Sequence, residues 1–272
     1  MNNHKIKTRS CPNCGSKEFR IVLTEGEFII VRCSKCSLVY LQNIPDEKNI
    51  YEDYYDIEYS GKDYCADSEF GNLRDVYEIN NQRIKHLKEF KQSGKLLDTG
   101  SGAGLFLKTA SDNGYDVSGI DVSVKAVEFS EREFGLNASN KTADDLISEN
   151  CKFDIISLWH VCEHFINPVN ELKKIHRLLE NDGICIIEVP NFNSVKFRLS
   201  GSKWQGGNHP LYHRSFFTEK TLTDTLRRSG FTKFRRLNIS YKLPGKSPVY
   251  NASKFIFNLF AMDAFLDFVA WK

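Results

Sequence analysis

Four cysteines near the N-terminus, Cys11-x2-Cys14 and Cys33-x2-Cys36, stand as two pairs with 18 residues between them. Each short C-x2-C loop can turn two sulfurs toward one metal, and two such loops complete a closed tetrahedron of thiolates. A closed site leaves no coordination position for a substrate, so the zinc it predicts is structural. A second group, WHVCEH, sets His160, Glu163 and His164 in an H-x-x-E-H pattern. As a hydrolytic zinc site this would need both histidines on one helical face. His160 instead ends the apolar run FDIISLWH, and no third ligand is evident. The same residues suit proton removal near neutral pH, with a carboxylate that orients the imidazole and stabilises its charged form. His164 is then the candidate base and Glu163 its partner, while His160 would line a cofactor or an acceptor; the bland alternative is that Glu163 and His164 brace the loop.

A third group lies upstream. KLLDTG reads as a strand that runs into Asp98-Thr-Gly100-Ser-Gly102-Ala-Gly104, and YDVSGID as a second strand ending at Asp121, 21 residues after Gly100. Glycines at such a turn let a strand bend into a helix and let a ligand approach the backbone, and an acid at the second strand end can accept the hydroxyls of a ribose. The pattern D-x-G-x-G-x-G differs from the dinucleotide fingerprint. An acid at Asp98 suits the cationic methionine part of S-adenosylmethionine (SAM) better than a pyrophosphate. No Gly-Lys-Ser/Thr loop for a nucleoside triphosphate occurs.

The elements that must position these groups alternate strand and helix, which predicts a doubly wound, Rossmann-like α/β domain. Its helices are LFLKTASDNG, ending at Gly114; a segment from Ser123 to about Phe134; VNELKKIHRLLE, closed by Asn181-Asp182-Gly183; and TEKTLTDTLRRSG. Its later strands are FDIISLWH, GICIIEVPN, FTKFRRLNIS and FLDFVAWK, the last expected at an edge after a short apolar helix at about 251–262. Residues 1–45 form the predicted zinc ribbon, with a hairpin across FRIVLTEGEFIIVRC; 46–74 read as a tyrosine-rich linker or lid; and 75–272 hold the main domain. Within it, 192–217 is a substrate-loop insertion whose Trp204, His209, Tyr212 and His213 could shape a flat acceptor, with His209 or His213 in reserve as the base. Tyr54 and Tyr55 are candidate ligand contacts from the linker.

Composition limits the partners. The 272 residues carry 37 basic and 35 acidic side chains, a formal charge of +2, with no long Lys/Arg run, so nucleic acid is not the expected partner. The start MNNHKIKTRSCPNC has no apolar stretch behind its charges, which favours a cytoplasmic address and reduced thiols. Cys65, Cys151, Cys162 and Cys185 lack ligand spacing and read as small buried residues. The apolar tail is interrupted by Asp263 and Asp267 and is too short to span a bilayer, which leaves peripheral membrane contact open. Oligomeric state is not readable.

These motifs resemble the class I SAM-dependent methyltransferases. LLDTGSGAG looks like their first motif, SGIDVS their second, TADDL their third and FDIISLWHVCEHFINP their fourth, over about residues 75–272. The resemblance implies a seven-stranded sheet whose last strand is antiparallel. It places Asp98 and Gly100 at the methionine end of SAM, Gly102 and Gly104 beside its backbone, Asp121 on the ribose and Asp144 near the adenine. Ubiquinone-type O-methyltransferases are similar in carrying a Glu-x-x-Glu-His metal-binding pattern after the fourth strand, where this chain has His160 at the first position. Sugar C-methyltransferases are similar in preceding the SAM domain with a four-cysteine zinc module and in having a Glu-His pair, although they carry a further C-terminal domain. The implied activity is methyl transfer to a small molecule, with a sugar, nucleotide sugar or related cell-surface or natural-product intermediate as the implied acceptor. Two other function classes stand beside it: a zinc-ribbon binding module with an inactive SAM domain, and the H-x-x-E-H metallohydrolase.

Overall fold

The computed structural model describes residues 7–44, 73–200, 212–237, 239, 241 and 264–272. The N-terminal module contains β1 (Lys7–Thr8), β2 (Phe19–Glu25), β3 (Phe28–Cys33), β4 (Val39–Leu41) and β5 (Asn43–Ile44). β2 and β3 form the expected hairpin, turning at Gly26, whose φ of 58° lies in the left-handed region that glycine enters without steric cost.

The larger domain follows as α1 (Leu73–Leu87), β6 (Lys95–Thr99), α2 (Leu105–Asp112), β7 (Asp116–Ile120), α3 (Val124–Phe134), β8 (Ala138–Ser139), α4 (Ala143–Ser148), β9 (Phe153–Trp159), α5 (Pro168–Leu178), β10 (Leu179–Pro190), α6 (Val195–Ser200), β11 (Ser215–Phe216), α7 (Glu219–Arg228), β12 (Lys233–Leu237) and β13 (Phe265–Trp271). Seven strands make one sheet in the order β12-β13-β10-β9-β6-β7-β8. β13 runs antiparallel to both of its neighbours, whereas β9, β6, β7 and β10 pair in parallel.

Both faces of the sheet are covered, which explains the nearly continuous apolar strands. Alternate residues of each strand enter opposite cores: Leu97, Ile156 and Ile187 join Leu172 and Ile175 on one side, and Leu96, Ile155 and Ile186 join Ile84 and Leu107 on the other. Side-chain caps set several helix starts. Ser123 accepts the Ala126 N–H, Asn167 the Asn170 N–H, and Thr218 the Thr221 N–H.

Two sequence expectations need correction. The C-terminal strand is interior rather than an edge: β13 lies between β10 and β12, and β12 takes the edge. Its five central residues are all buried, because both of its faces are covered: Leu266, Phe268 and Ala270 enter one core and Val269 the other. The helix after β9 ends at Leu178, not at the Asn181-Asp182-Gly183 turn. Leu179 already pairs with Phe153 in the sheet, and burial of both Leu178 and Leu179 pulls the chain across before the turn residues are reached. The linker at 46–72, the apolar helix expected at 251–262, and Tyr54, Tyr55, Cys65, Trp204 and His209 lie outside the described residues.

Candidate active site and thiolate centre

The four N-terminal sulfurs converge. Cys11 Sγ lies 3.5 Å from Cys36 Sγ, and Cys14 Sγ 3.5 Å from Cys33 Sγ. All four lie within 4.8 Å of one another. A zinc tetrahedron with Zn–S near 2.3 Å separates its sulfurs by about 3.8 Å, so these residues fit that ion. Both Cys11 and Cys33 are buried, and the Cys36 amide reaches the Cys33 sulfur at 3.5 Å, the inward-pointing geometry of a thiolate knuckle. The hydrogen bond from Cys11 pulls the Cys36 thiol down to about 5 and pushes Cys11 up. Four crowded thiols cannot all ionise against one another, and a divalent cation removes that repulsion.

At the carboxyl end of the sheet, β6 enters the glycine turn. The Gly100 and Ser101 amides both reach the Ile120 carbonyl, at 2.8 and 3.1 Å, which folds the turn over the end of β7. Gly100 has φ 69°, and a Cβ there would come within 2.5 Å of Val161 Cγ2. Gly104, with φ 80° at the start of α2, would press a Cβ to 2.2 Å from Ser130 Oγ. Close packing by protein side chains therefore accounts for glycine at both positions, and Gly102, at φ 52°, completes the left-handed turn. Asp121 is buried at the end of β7; its two carboxylate oxygens accept the Gly102 N–H at 2.8 Å and the Ser123 N–H at 2.9 Å. Each oxygen keeps a lone pair for a ligand hydroxyl.

Asp98 is 2% exposed, and its Oδ1 accepts the Ser157 hydroxyl at 2.6 Å. Burial pushes its carboxyl up to about 7, against the Ser157 hydrogen bond and the positive charge of Arg83. Asp144 is exposed in the first turn of α4 and pairs with Lys174 at 2.6 Å.

The WHVCEH stretch divides into two sets. His160 has φ 57°, and its ring bridges two buried carboxylates: Nε2 lies 2.9 Å from Glu188 and Nδ1 3.4 Å from Glu163. Burial works against its charge, but the two carboxylates win and hold its pKa at about 10. Both ring nitrogens are thus engaged by the protein. Glu188 also pairs with Arg83 of α1 and accepts the Tyr241 hydroxyl, Asp267 sits opposite it in register, and the Arg83 guanidinium lies 4.3 Å over the Trp159 ring. Sequence reasoning missed this buried network; the available signal was a glutamate inside the otherwise apolar GICIIEVPN.

Cys162–His164 form a single 3-10 turn that carries Glu163 inward and His164 toward the segment before β11. His164 Nδ1 lies 3.1 Å from the Tyr212 carbonyl, which can only accept, so Nδ1 carries a proton and in the neutral ring the lone pair is on Nε2. The His164 and His213 rings meet edge to face with centroids 4.8 Å apart. Ligand-type atoms of Glu163, His164 and His213 fall within 4.8 Å of one another. Burial opposes ionisation of Glu163, but His160, His164 and His213 outweigh it and hold its carboxyl below the usual range. The structure therefore gathers Glu163, His164 and His213 on one side, while His160 reaches Glu163 from the other and continues to Glu188. The two histidines of the H-x-x-E-H pattern do not share one helical face, as the hydrolase reading would need.

The sequence profile of a family described as "Methyltransferase domain" matches residues 73–234. A ubiquinone biosynthesis O-methyltransferase of Glaesserella parasuis is 27% identical over 143 residues, which cover 47% of this chain and 60% of that protein. The chain thus spans less than two thirds of this relative's length. Among solved structures, a SAM-dependent methyltransferase from Archaeoglobus fulgidus superposes with a TM-score of 0.54 at 16% identity, covering 82% of this chain and all of that one. A plantazolicin methyltransferase solved with a triazolic desmethyl analogue and SAH, the demethylated product of SAM, gives 0.55 at 16% identity, covering 83% and 93%. At these identities the two structures speak for the fold. Among the described residues, no helix is long and apolar enough to cross a membrane.

Proposed function

The chain belongs to the class I SAM-dependent methyltransferases, and from that premise we propose that it methylates a small molecule, with a sugar, nucleotide sugar or related cell-surface or natural-product intermediate as the acceptor. One observation carries the reading. Val161 packs into the space that a Cβ on Gly100 would fill, so the turn bearing Glu163 and His164 abuts the glycine turn. Cofactor residues and a proton acceptor then meet at one end of the sheet, where open α/β sheets bind ligands.

In this assignment Asp98 and the Gly100–Gly104 turn hold the methionine part of SAM, Asp121 accepts the ribose hydroxyls, and Asp144 stands for the adenine side. SAM supplies an electrophilic methyl on a sulfonium. The protein aligns the acceptor atom in line with the S–CH3 bond, excludes water and takes up a proton. His164 Nε2 accepts that proton, Nδ1 being held by the Tyr212 carbonyl, and the Glu163 carboxylate stabilises the imidazolium from the buried side. His160 serves as a fixed cation that keeps Glu163 and Glu188 ionised. The pairing of a four-thiolate ribbon with Glu163-His164, followed by the long 192–217 stretch, favours the sugar class.

The test is methyl uptake from SAM by a panel of nucleotide sugars, with the zinc-loaded wild type and His164→Ala. A His164→Ala variant that binds SAH normally and loses transfer by roughly a hundredfold or more supports the base. Full activity in that variant removes it, and failure of every sugar while another small molecule is methylated overturns the acceptor class.

A further inference from the structure

The sheet of the zinc module takes in a strand that adjoins the site. β11, which begins two residues after His213, pairs antiparallel with β4 of the ribbon, Ser215 opposite Tyr40 and Phe216 opposite Val39. The Leu41 amide donates to the Arg214 carbonyl at 3.1 Å, and the Arg214 amide to the Glu163 carbonyl at 2.8 Å. One hydrogen-bonded path therefore runs from the ribbon through the His213 segment to the Glu163-His164 turn.

A single side chain closes that path. Arg9 stands two residues before Cys11, and its own amide is held by the Gln42 carbonyl at 3.0 Å. Its guanidinium donates from Nε to the Leu41 carbonyl at 2.8 Å, from Nη2 to the Arg214 carbonyl at 2.7 Å and from Nη1 to the Ile166 carbonyl. The three acceptors come from the ribbon, from the residue after His213 and from the stretch just past His164. A planar fork of five N–H donors suits this geometry, whereas an ammonium on a single stem offers one point of attachment.

We propose that Arg9 is a positioning residue. Through it the zinc-loaded ribbon holds His164 and His213 in their edge-to-face pair, which makes the ribbon a working part of the transfer site. The proposal rests on the assignment of His164 to proton acceptance made above. Asn13 supplies an internal control, because it also ties the ribbon to the main domain, but through Asp224 and Thr225 of α7; since its side chain also reaches the Cys36 sulfur, its variant is compared with one zinc per chain retained.

The experiment uses the full chain loaded with zinc: wild type, Arg9→Ala, Arg9→Lys and Asn13→Ala. Amide hydrogen exchange is read at Leu41 and Arg214, imidazole nitrogen NMR at His164 and His213, and SAH binding by calorimetry. In both Arg9 variants the two amides should exchange roughly tenfold faster or more, as expected for losing charge-assisted bonds, and the His164 and His213 signals should move or broaden. SAH affinity and one zinc per chain should be kept, and Asn13→Ala should leave both histidines as in the wild type. Unchanged exchange and imidazole signals in Arg9→Ala overturn the proposal. So does the same disturbance in Asn13→Ala, which would mean general docking. Loss of zinc or of SAH binding in both Arg9 variants would make Arg9 a folding residue and overturn it as well. A wild type that fails to bind SAH counts against the methyl-transfer reading instead, because exchange and imidazole signals are read without it.

Discussion

Replacing Asp98 by asparagine should make the free protein more stable and the cofactor site worse. Asp98 is 2% exposed, and burial holds its carboxyl at about 7, against an ordinary value of 3.8. At about 1.4 kcal/mol per pH unit, that gap costs the folded, ionised protein ~4 kcal/mol. The sign follows from proton binding. A folded-state pKa raised above the unfolded one means the native state holds its proton longer, so the cost is absent below about pH 4, grows as pH rises, and is complete above about 7. Asparagine keeps the shape and can still accept the Ser157 hydroxyl, but it carries no charge to desolvate. Urea unfolding of wild type and Asp98→Asn at pH 4.5 and 8.5, values chosen about the window that follows from linkage, should therefore give a stability gain that appears at the higher pH. Calorimetry should show SAM bound roughly tenfold or more weakly by the variant, because on the proposed assignment the carboxylate partner of the cationic methionine end is lost. Wild-type SAM affinity should itself fall as pH drops below about 7. A variant with the same stability offset at both pH values, or with undiminished SAM affinity, refutes the reasoning.

Two further substitutions probe the supports of the site. His160→Gln leaves the buried Glu163 and Glu188 without their shared cation and should destabilise the fold by about 3 kcal/mol near pH 6. Since the His160 pKa is raised to about 10, its contribution is full below about 6.5 and disappears as pH rises through 10, so unfolding curves of wild type and variant should converge there; a constant difference would refute the pairing. Gly104→Ala combines a left-handed φ of 80° with a Cβ 2.2 Å from Ser130 Oγ. It should cost about 2–4 kcal/mol in urea unfolding and be partly rescued by Ser130→Ala, and an unaffected midpoint would contradict the packing argument.

Much of the scaffold could be read from local pattern. The glycine turn, the acid at 121 and the cysteine spacing announce themselves because each depends on neighbours in sequence: a strand end, a tight turn, a knuckle. Ser123 as a cap was legible for the same reason. The parts that were not legible depend on partners far along the chain. Arg83, Glu188 and Tyr241 meet only because α1, β10 and the stretch after β12 converge behind His160. Arg9 finds carbonyls 32, 157 and 205 residues away. FLDFVAW alternates well enough to pass for an edge strand, with Asp267 breaking its apolar run, yet that aspartate is buried and β13 lies between β10 and β12. The spacing of WHVCEH put His160 and His164 in one motif, yet His160, with its left-handed backbone, bridges Glu163 to Glu188, whereas His164 sits beside His213 and the Tyr212 carbonyl.

The central claim is that the turn at Asp98–Gly104, with Asp121, is a working SAM site in the zinc-loaded protein. Calorimetric titration of that protein with SAM and with SAH tests it most directly. The account predicts saturable binding of both at one site per chain, lost or sharply weakened in a Gly102→Val variant that still holds its zinc. Absence of binding to the folded wild type, or binding undiminished by that substitution, would contradict it.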